Sequence, residues 1–384
     1  MLDDYLMSIG FNSNDISYIK SIHFQSIHDE NSLLFNVKNI VNYFHRNGLS
    51  NEDIISIIRF IPELVTLSLE NIKIRVRELK NIGFNKLQIF NIIRDYPYII
   101  KLSSQKIYNK ISFFYSIGFN DSNVISFLAS NIGLISLDNS IIKAKINYFN
   151  ELGYSEKEIV RLFSLSPSVV NTNLTVIKSK YKYLSDLGFI NKDIIRISLC
   201  IPDIYTSNND LLKSNFSYLL DYGFSMKIII NIINKIPNIL NKNYLDQLVD
   251  KFDNLIRMGF SKNEIVNIIK KNPYILLFPC DIIRDNHKYL LEYGFGNYSI
   301  TLCPLLLSYN CLEIENRIKY YKKIKLFDTI LDNPCYLLFN LDFIRIRYNF
   351  IIKKNGNLND LFVDDILFYN KYNITRDKLI KGDI

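Results

Sequence analysis

The chain has 384 residues, of which 48% are apolar and 22% charged, and its formal net charge is +8. That supplies ample material for a core and excludes a disordered chain. No run approaches the ~18 uninterrupted apolar residues of a membrane-crossing helix.

The charge is unevenly distributed. Residues 1–70 hold four basic residues (Lys20, Lys38, Arg46, Arg59) against nine acidic ones, and the remainder holds 42 basic and 29 acidic. A basic body behind an acidic front points to a polyanionic partner for the body, although the same mild excess also serves solubility. The first residues, Met1-Leu2-Asp3-Asp4-Tyr5, resemble neither a secretory signal nor an Arg-rich organelle presequence. The expectation is action in the compartment of synthesis, hence cytoplasmic, with a mitochondrial or plastid interior as the alternative if a presequence is missing. The five cysteines (Cys200, Cys280, Cys303, Cys311, Cys335) form no C-x-x-C pair and read as reduced core residues.

In chain order, a glycine followed by a large apolar residue recurs. The copies are Gly10-Phe11, Gly48-Leu49, Gly83-Phe84, Gly118-Phe119, Gly153-Tyr154, Gly188-Phe189, Gly223-Phe224, Gly259-Phe260 and Gly294-Phe295. The steps between glycines are 38, then 35 five times, then 36 and 35. A period held this closely predicts a stack of helical repeats.

Residues 138–172 illustrate one unit. Asp138 caps a helix carrying Ile142, Ile146, Phe149 and Leu152 on one side, and Ser68, Ser103, Asn173 and Asn208 are equivalent caps. Gly153 ends that helix in the left-handed conformation, and Tyr154 folds back on it. Ser155 then caps a shorter helix, with Glu158 completing a capping box, as do Ser261 with Glu264 and Ser50 with Asp53. Its apolar set is Ile159, Leu162 and Phe163. Fourteen residues after the glycine a proline stops it: Pro62, Pro97, Pro167, Pro202, Pro237, Pro273. An apolar residue three further on (Val65, Ile100, Val170, Leu240, Leu276) plugs the space before the next cap. In the Gly118 and Gly294 units Ile132 and Ser308 replace the proline, and Pro304 ends the latter helix early.

This combination of L-G-F-S/N, E/D-I, I-I and proline resembles the mitochondrial transcription termination factor (mTERF) family. Leu152-Gly153-Tyr154-Ser155 through Pro167 and Met258-Gly259-Phe260-Ser261 through Pro273 carry the resemblance most clearly, and it covers roughly residues 40–310. It implies an all-α solenoid of about nine units curved into a superhelix. It also implies a monomer that grips double-stranded DNA or structured RNA through basic rows, in transcription regulation, transcription termination or ribosome assembly. The resemblance further implies no catalytic residue, and no cofactor is expected. Residues 1–310 read as the repeat array and residues 311–384 as degenerate repeats forming a C-terminal cap. There Arg317, Ile318, Tyr321, Leu326-Phe327 and Pro334 keep the outline without a glycine at the turn. A loop at Gly356 precedes a helix containing Leu361, Phe362, Ile366 and Tyr369.

Aligning the units on their glycines gives two columns of cations in the first helix. Eight residues before the glycine stand Arg75, Lys110, Lys145, Lys180 and Lys251, with Arg317 at the similar place in the cap. Ten before it stand Lys38, Lys73, Lys143, Lys178, Lys213 and Arg284. Both columns are candidates for gripping phosphate. At about 100° per residue they point in nearly opposite directions. Lys145 falls inside the apolar arc and Lys143 at its boundary. A cation in an apolar arc needs a partner or an exit. One reading has it reach the carbonyls that end the neighbouring short helix, and the other has the arc open onto an inner groove. Lys157, Arg161, Lys182, Lys192 and Arg196 add charge to the middle units, while Lys270 and Lys271 suit a helix C-terminus. The aromatics five before the glycine (Tyr43, Phe113, Tyr148, Tyr183, Tyr218, Tyr289) read as packing between repeats, with base stacking as the alternative.

The four histidines (His23, His28, His45, His287) form no H-E-x-x-H and no zinc spacing with cysteine. There is no phosphate-binding Gly-Lys loop and no G-x-S-x-G, so the sequence offers no catalytic or metal residue. The alternative function is a scaffold that binds protein partners on the concave surface.

Overall fold

The computed structural model describes residues 1–23, 29–207, 209–241 and 244–381. They form 24 α-helices and nine 3₁₀ helices, and no strand occurs among the described residues. The chain divides into two compact units, Met1–Ser207 and Asn208–Ile384.

Each repeat is a long helix, a glycine turn, a short helix and a proline turn. In the unit read above, these are Asn139–Glu151, Glu156–Leu165 and Pro167–Asn171. The caps work as their chemistry requires. Asp138 accepts from Ser140 N, Ser68 from Asn71 N, Ser103 from Lys106 N and Asn173 from Thr175 N. Asn208 lies outside the described residues. Complete capping boxes start the short helices at Ser50/Asp53, Ser155/Glu158 and Ser261/Glu264.

All nine grid glycines take φ between 86° and 118°. Gly83 N donates to Lys80 O at 3.0 Å and Phe84 N to Leu79 O at 3.2 Å, the paired bonds that close a helix through a left-handed residue. The same two bonds recur past residue 311 without a glycine. Lys325, with φ 59°, donates to Lys322 O, and Leu326 N donates to Tyr321 O at 3.0 Å. Asn355, with φ 48°, donates to Ile352 O, and Gly356 N donates to Ile351 O at 2.9 Å. The left-handed residue there is therefore Asn355, and the repeat scheme continues through Cys311–Lys323, Phe327–Asp332, Pro334–Leu338 and Leu341–Lys353. The single helix expected after Gly356 is instead two elements. Leu361 and Phe362 lie in a 3₁₀ turn, Leu358–Phe362, and Ile366 and Tyr369 in the helix Asp365–Tyr372. Val363 is extended between them and Asp364 caps the second.

The proline is not indispensable. The turn Ile132–Ser136 forms with isoleucine at its start, because Ile132 is buried and Leu134 N still finds Asn131 O at 2.9 Å. In the Gly294 unit Pro304 cuts the short helix to Asn297–Leu302.

Within the first unit long helices pack on long helices and short on short: Glu30–Arg46, Leu69–Ile82 and Ser104–Ser116 in one row, Asn51–Phe60, Lys86–Asp95 and Asp121–Ser130 in the other. The second unit repeats the scheme with Asn209–Tyr222, Tyr244–Arg257 and Cys280–Glu292 in the first row. The turns make a third row, against the long helices. The core between the rows is apolar: Ile57 and Ile58, Ile92 and Ile93, Leu162 and Phe163, Ile232 and Ile233, Ile268 and Ile269 are fully buried. Each such side chain contributes about 1.5–3 kcal/mol by leaving water. The plug residues Val65, Ile100, Val170, Leu240 and Leu276 are buried as expected. The cysteines are not. Only Cys303 is buried, Cys280 and Cys311 are half-buried, and Cys200 and Cys335 are exposed.

Candidate nucleic-acid interface

The cations eight residues before the glycine turn inward. Lys145 is only 1% exposed and its Nζ donates to Val170 O. Lys180, 3% exposed, donates to Ser207 O at 2.7 Å. Lys110 reaches Leu137 O and Asn139 Oδ1. Arg75 spreads its guanidinium over Ile99 O at 3.1 Å, Leu102 O, Ser104 Oγ at 2.7 Å and Glu78 at 2.6 Å. Every backbone acceptor lies at the end of the turn that follows the short helix of the same repeat. The last carbonyls of a helical turn have no partner within it, and a buried one needs a donor. A long side chain from the facing helix supplies that donor and covers the core with its methylenes on the way.

Two repeats of the second unit separate hydrogen bonding from charge. At the same position Asn215 donates its amide to Ile239 O at 2.7 Å, and Asn286 to Leu307 O and Tyr309 O, both at 2.9 Å. A neutral amide does the same work, so donation to the turn is what this position requires. Arg347, eight before Asn355, does it as well, to Val363 O at 2.8 Å and Asp365 at 2.7 Å. Arg317, eight before Lys325, is buried over the Tyr309 ring, with Nη2 3.4 Å from Glu313 and Nη1 buried without a hydrogen-bond partner. Lys251 stays half-buried. Its repeat is one residue longer, and Tyr244 OH donates to Leu276 O at 3.1 Å in its place. Burial holds the ammonium groups of Lys110 and Lys145 below the usual lysine value and pushes Lys180 down to about 8. Of the two readings of this column, the buried members have the geometry of a carbonyl partner and not of the open groove, but the carbonyls belong to the turn after the short helix and not to the end of that helix itself.

The column ten before the glycine faces out. Lys38, Lys143, Lys178, Lys213 and Arg284 are exposed, and Lys73 is partly so. Lys73 and Lys213 stand 3.9 Å and 3.8 Å from Glu70 and Asp210, pairs worth little in water. Four residues on, one turn along the same face, come Arg77, Lys182, Lys288 and Lys319, all exposed. Lys178 Nζ sits 5.1 Å above the Tyr148 ring of the preceding repeat, and Arg345 lies 5.4 Å above Tyr320. The aromatic column thus fastens neighbouring repeats: Tyr43 meets Phe90 at 5.9 Å, Tyr148 meets Tyr181 at 6.3 Å and Tyr218 meets Phe252 at 5.6 Å.

In the second unit the face opens into a groove of about 780 Å³ between Cys311–Lys323 and Leu341–Lys353, lined by Asn316, Lys319, Tyr320, Lys323, Arg345 and Asn349. Arg345 and Arg347 were missed in the sequence because no glycine marks their repeat; the signal was the Asn355-Gly356 pair read one place late.

Among the described residues no group of three or more His, Cys, Asp or Glu is placed to hold a metal, and no helix is long and apolar enough to cross a membrane. The molecule is an all-α helical-repeat protein whose long helices carry a buried row of donors and an exposed row of cations. The family model for mTERF matches residues 5–222 and 215–371, and the chain belongs to the mTERF family. No curated protein matches it.

Proposed function

We propose that the chain is a non-enzymatic nucleic-acid-binding protein that grips the phosphate backbone of duplex DNA or structured RNA with the outward cations of its long helices. Lys73, Lys143, Lys178 and Lys182 of the first unit, and Lys213, Arg284, Lys288, Lys319 and Arg345 of the second, supply those cations, while Arg75, Lys110, Lys145 and Lys180 act beneath by holding the turns and Arg317 is buried. Membership of the mTERF family supports a role in transcription or ribosome assembly, and the chain is proposed to act as a monomer. The observation that carries the reading is the outward column itself. That position is cationic in seven repeats (Tyr108, Val249 and Glu315 are the exceptions), while its inward neighbour accepts a neutral amide. Pairing of Lys and Arg with phosphate releases counterions and is insensitive to sequence.

The test is affinity for a duplex and for a folded RNA across a salt series. A protein that neutralises about six phosphates binds roughly a thousandfold more weakly at ~200 mM than at ~50 mM salt. Salt-insensitive binding, or none to either polymer, would overturn the proposal and leave a protein-binding scaffold.

A further inference from the structure

Cys303 and Cys335 belong to consecutive repeats of the second unit and flank the prolines that open their turns. Cys303 precedes Pro304 and Cys335 follows Pro334. Stacking of the repeats brings them together. Cys335 Sγ lies 3.8 Å from Leu302 O, the carbonyl joined to the Cys303 nitrogen, so the exposed thiol stands against the peptide bond that leads into Cys303. Lys271 reaches in from the repeat before. Its Nζ donates to the same Leu302 O at 3.1 Å and to Thr301 O at 3.0 Å, which sets an ammonium beside the pair. One thiol is exposed and the other only 2% so. The remaining cysteines are placed differently: Cys200 lies in the other unit, and Cys311 donates to Asn286 Oδ1.

We propose that Cys303 and Cys335 are a redox-active dithiol, which a hydroperoxide converts to a disulfide tying two consecutive repeats together. The two positions differ as an attacking and a resolving thiol must. Cys335 is open to solvent, where a hydroperoxide can reach it, whereas Cys303 is buried, and that burial pushes its thiol up. In the first step the Cys335 thiolate attacks one peroxide oxygen and the O–O bond breaks. Cys335 becomes a sulfenic acid and, with one proton, the other oxygen leaves as water. In the second step Cys303 sulfur attacks Cys335 sulfur, the S–O bond breaks, and the hydroxyl departs as water with the Cys303 proton. Two electrons leave the sulfurs and reduce hydrogen peroxide to two waters. The closed loop contains Cys311–Lys323, one wall of the basic groove. The bond therefore stiffens that wall, and the chemistry holds whether or not the groove binds nucleic acid.

The test treats the full chain with hydrogen peroxide, alkylates the remaining thiols and maps peptides by mass. The expected result is a fall from five reactive thiols to three, a linked Cys303–Cys335 peptide, reversal by dithiothreitol and a higher melting temperature for the second unit. In C303S a dimedone adduct should accumulate on Cys335, and in C335S Cys303 should remain reduced. Oxidation spread over Cys200, Cys280 and Cys311 without the linked peptide would overturn the proposal. So would a Cys335 sulfenic acid that persists in the unaltered chain.

Discussion

Replacing Lys145 with alanine separates the two roles a repeated lysine can have. The substitution removes three buried methylenes, about 0.8 kcal/mol each, and leaves Val170 O without its donor, a further ~1–3 kcal/mol. Relief from burying an ammonium offsets part of this, so the net loss should be roughly 2–3 kcal/mol. Lys145→Met keeps the stem and removes only the donor, and its cost should be about 1 kcal/mol or less. Urea unfolding followed by circular dichroism reads both, taken at the transition of the first unit because a chain of two units need not unfold in one step. The predicted order is wild type, then methionine, then alanine, with the folded forms of all three binding nucleic acid alike. An alanine variant of wild-type stability with weakened binding would overturn the structural role, since the ammonium would then have faced the ligand.

Two further predictions concern the turns and pH. Lys325→Gly should stabilise the second unit by about 1 kcal/mol, because a side chain at φ 59° carries a steric cost that glycine lacks. Gly118→Ala should destabilise by at least ~1 kcal/mol, since φ is 102° and the new Cβ would stand 3.3 Å from Val160 Cγ2; melting curves read both. In the first unit Lys180, pushed by burial to about 8 from an ordinary 10.5, releases its proton earlier in the folded chain than in the unfolded one. The unfolded state then holds more protons between those values, so stability should rise from pH 8 towards 10.5, by on the order of 3 kcal/mol at most. Tyr148 and Tyr154, raised by burial to about 12 from 10.0, act oppositely above pH 10, where the folded state holds more protons. Melting temperature against pH should therefore pass through a maximum at about pH 10, and Lys180→Met should flatten the rising limb. A profile that falls steadily from pH 7 would contradict these burial effects.

The repeat was legible because glycine, cap and proline each answer a local backbone requirement. A left-handed residue, an orphan N–H and a helix stop leave signatures at fixed offsets. The last repeats were harder, since Lys325 and Asn355 take the left-handed conformation without advertising it. With that reference point gone, Arg345 and Arg347 could not be placed in their columns. The inward column was ambiguous for a different reason. A helical wheel places Lys145 in the apolar arc whether it meets a carbonyl or a ligand, and the distinction lies in the turn of the repeat, some 25 residues on. The decisive clue, the amides of Asn215 and Asn286 at the same position, is invisible to a count of cations. The cysteines misled because type alone suggests burial, whereas Cys200, the last residue of its helix, and Cys335, in the turn just after Pro334, are both exposed.

Phosphate gripping by the outward column is tested most sharply by a salt titration of duplex DNA binding, with the unaltered chain set against the Lys143→Gln, Lys178→Gln, Lys182→Gln triple variant. The expected result is an unchanged melting temperature, weaker binding, and a slope of log affinity against log salt reduced by about 0.9 for each phosphate no longer neutralised. A triple variant that keeps the original slope and affinity would contradict it.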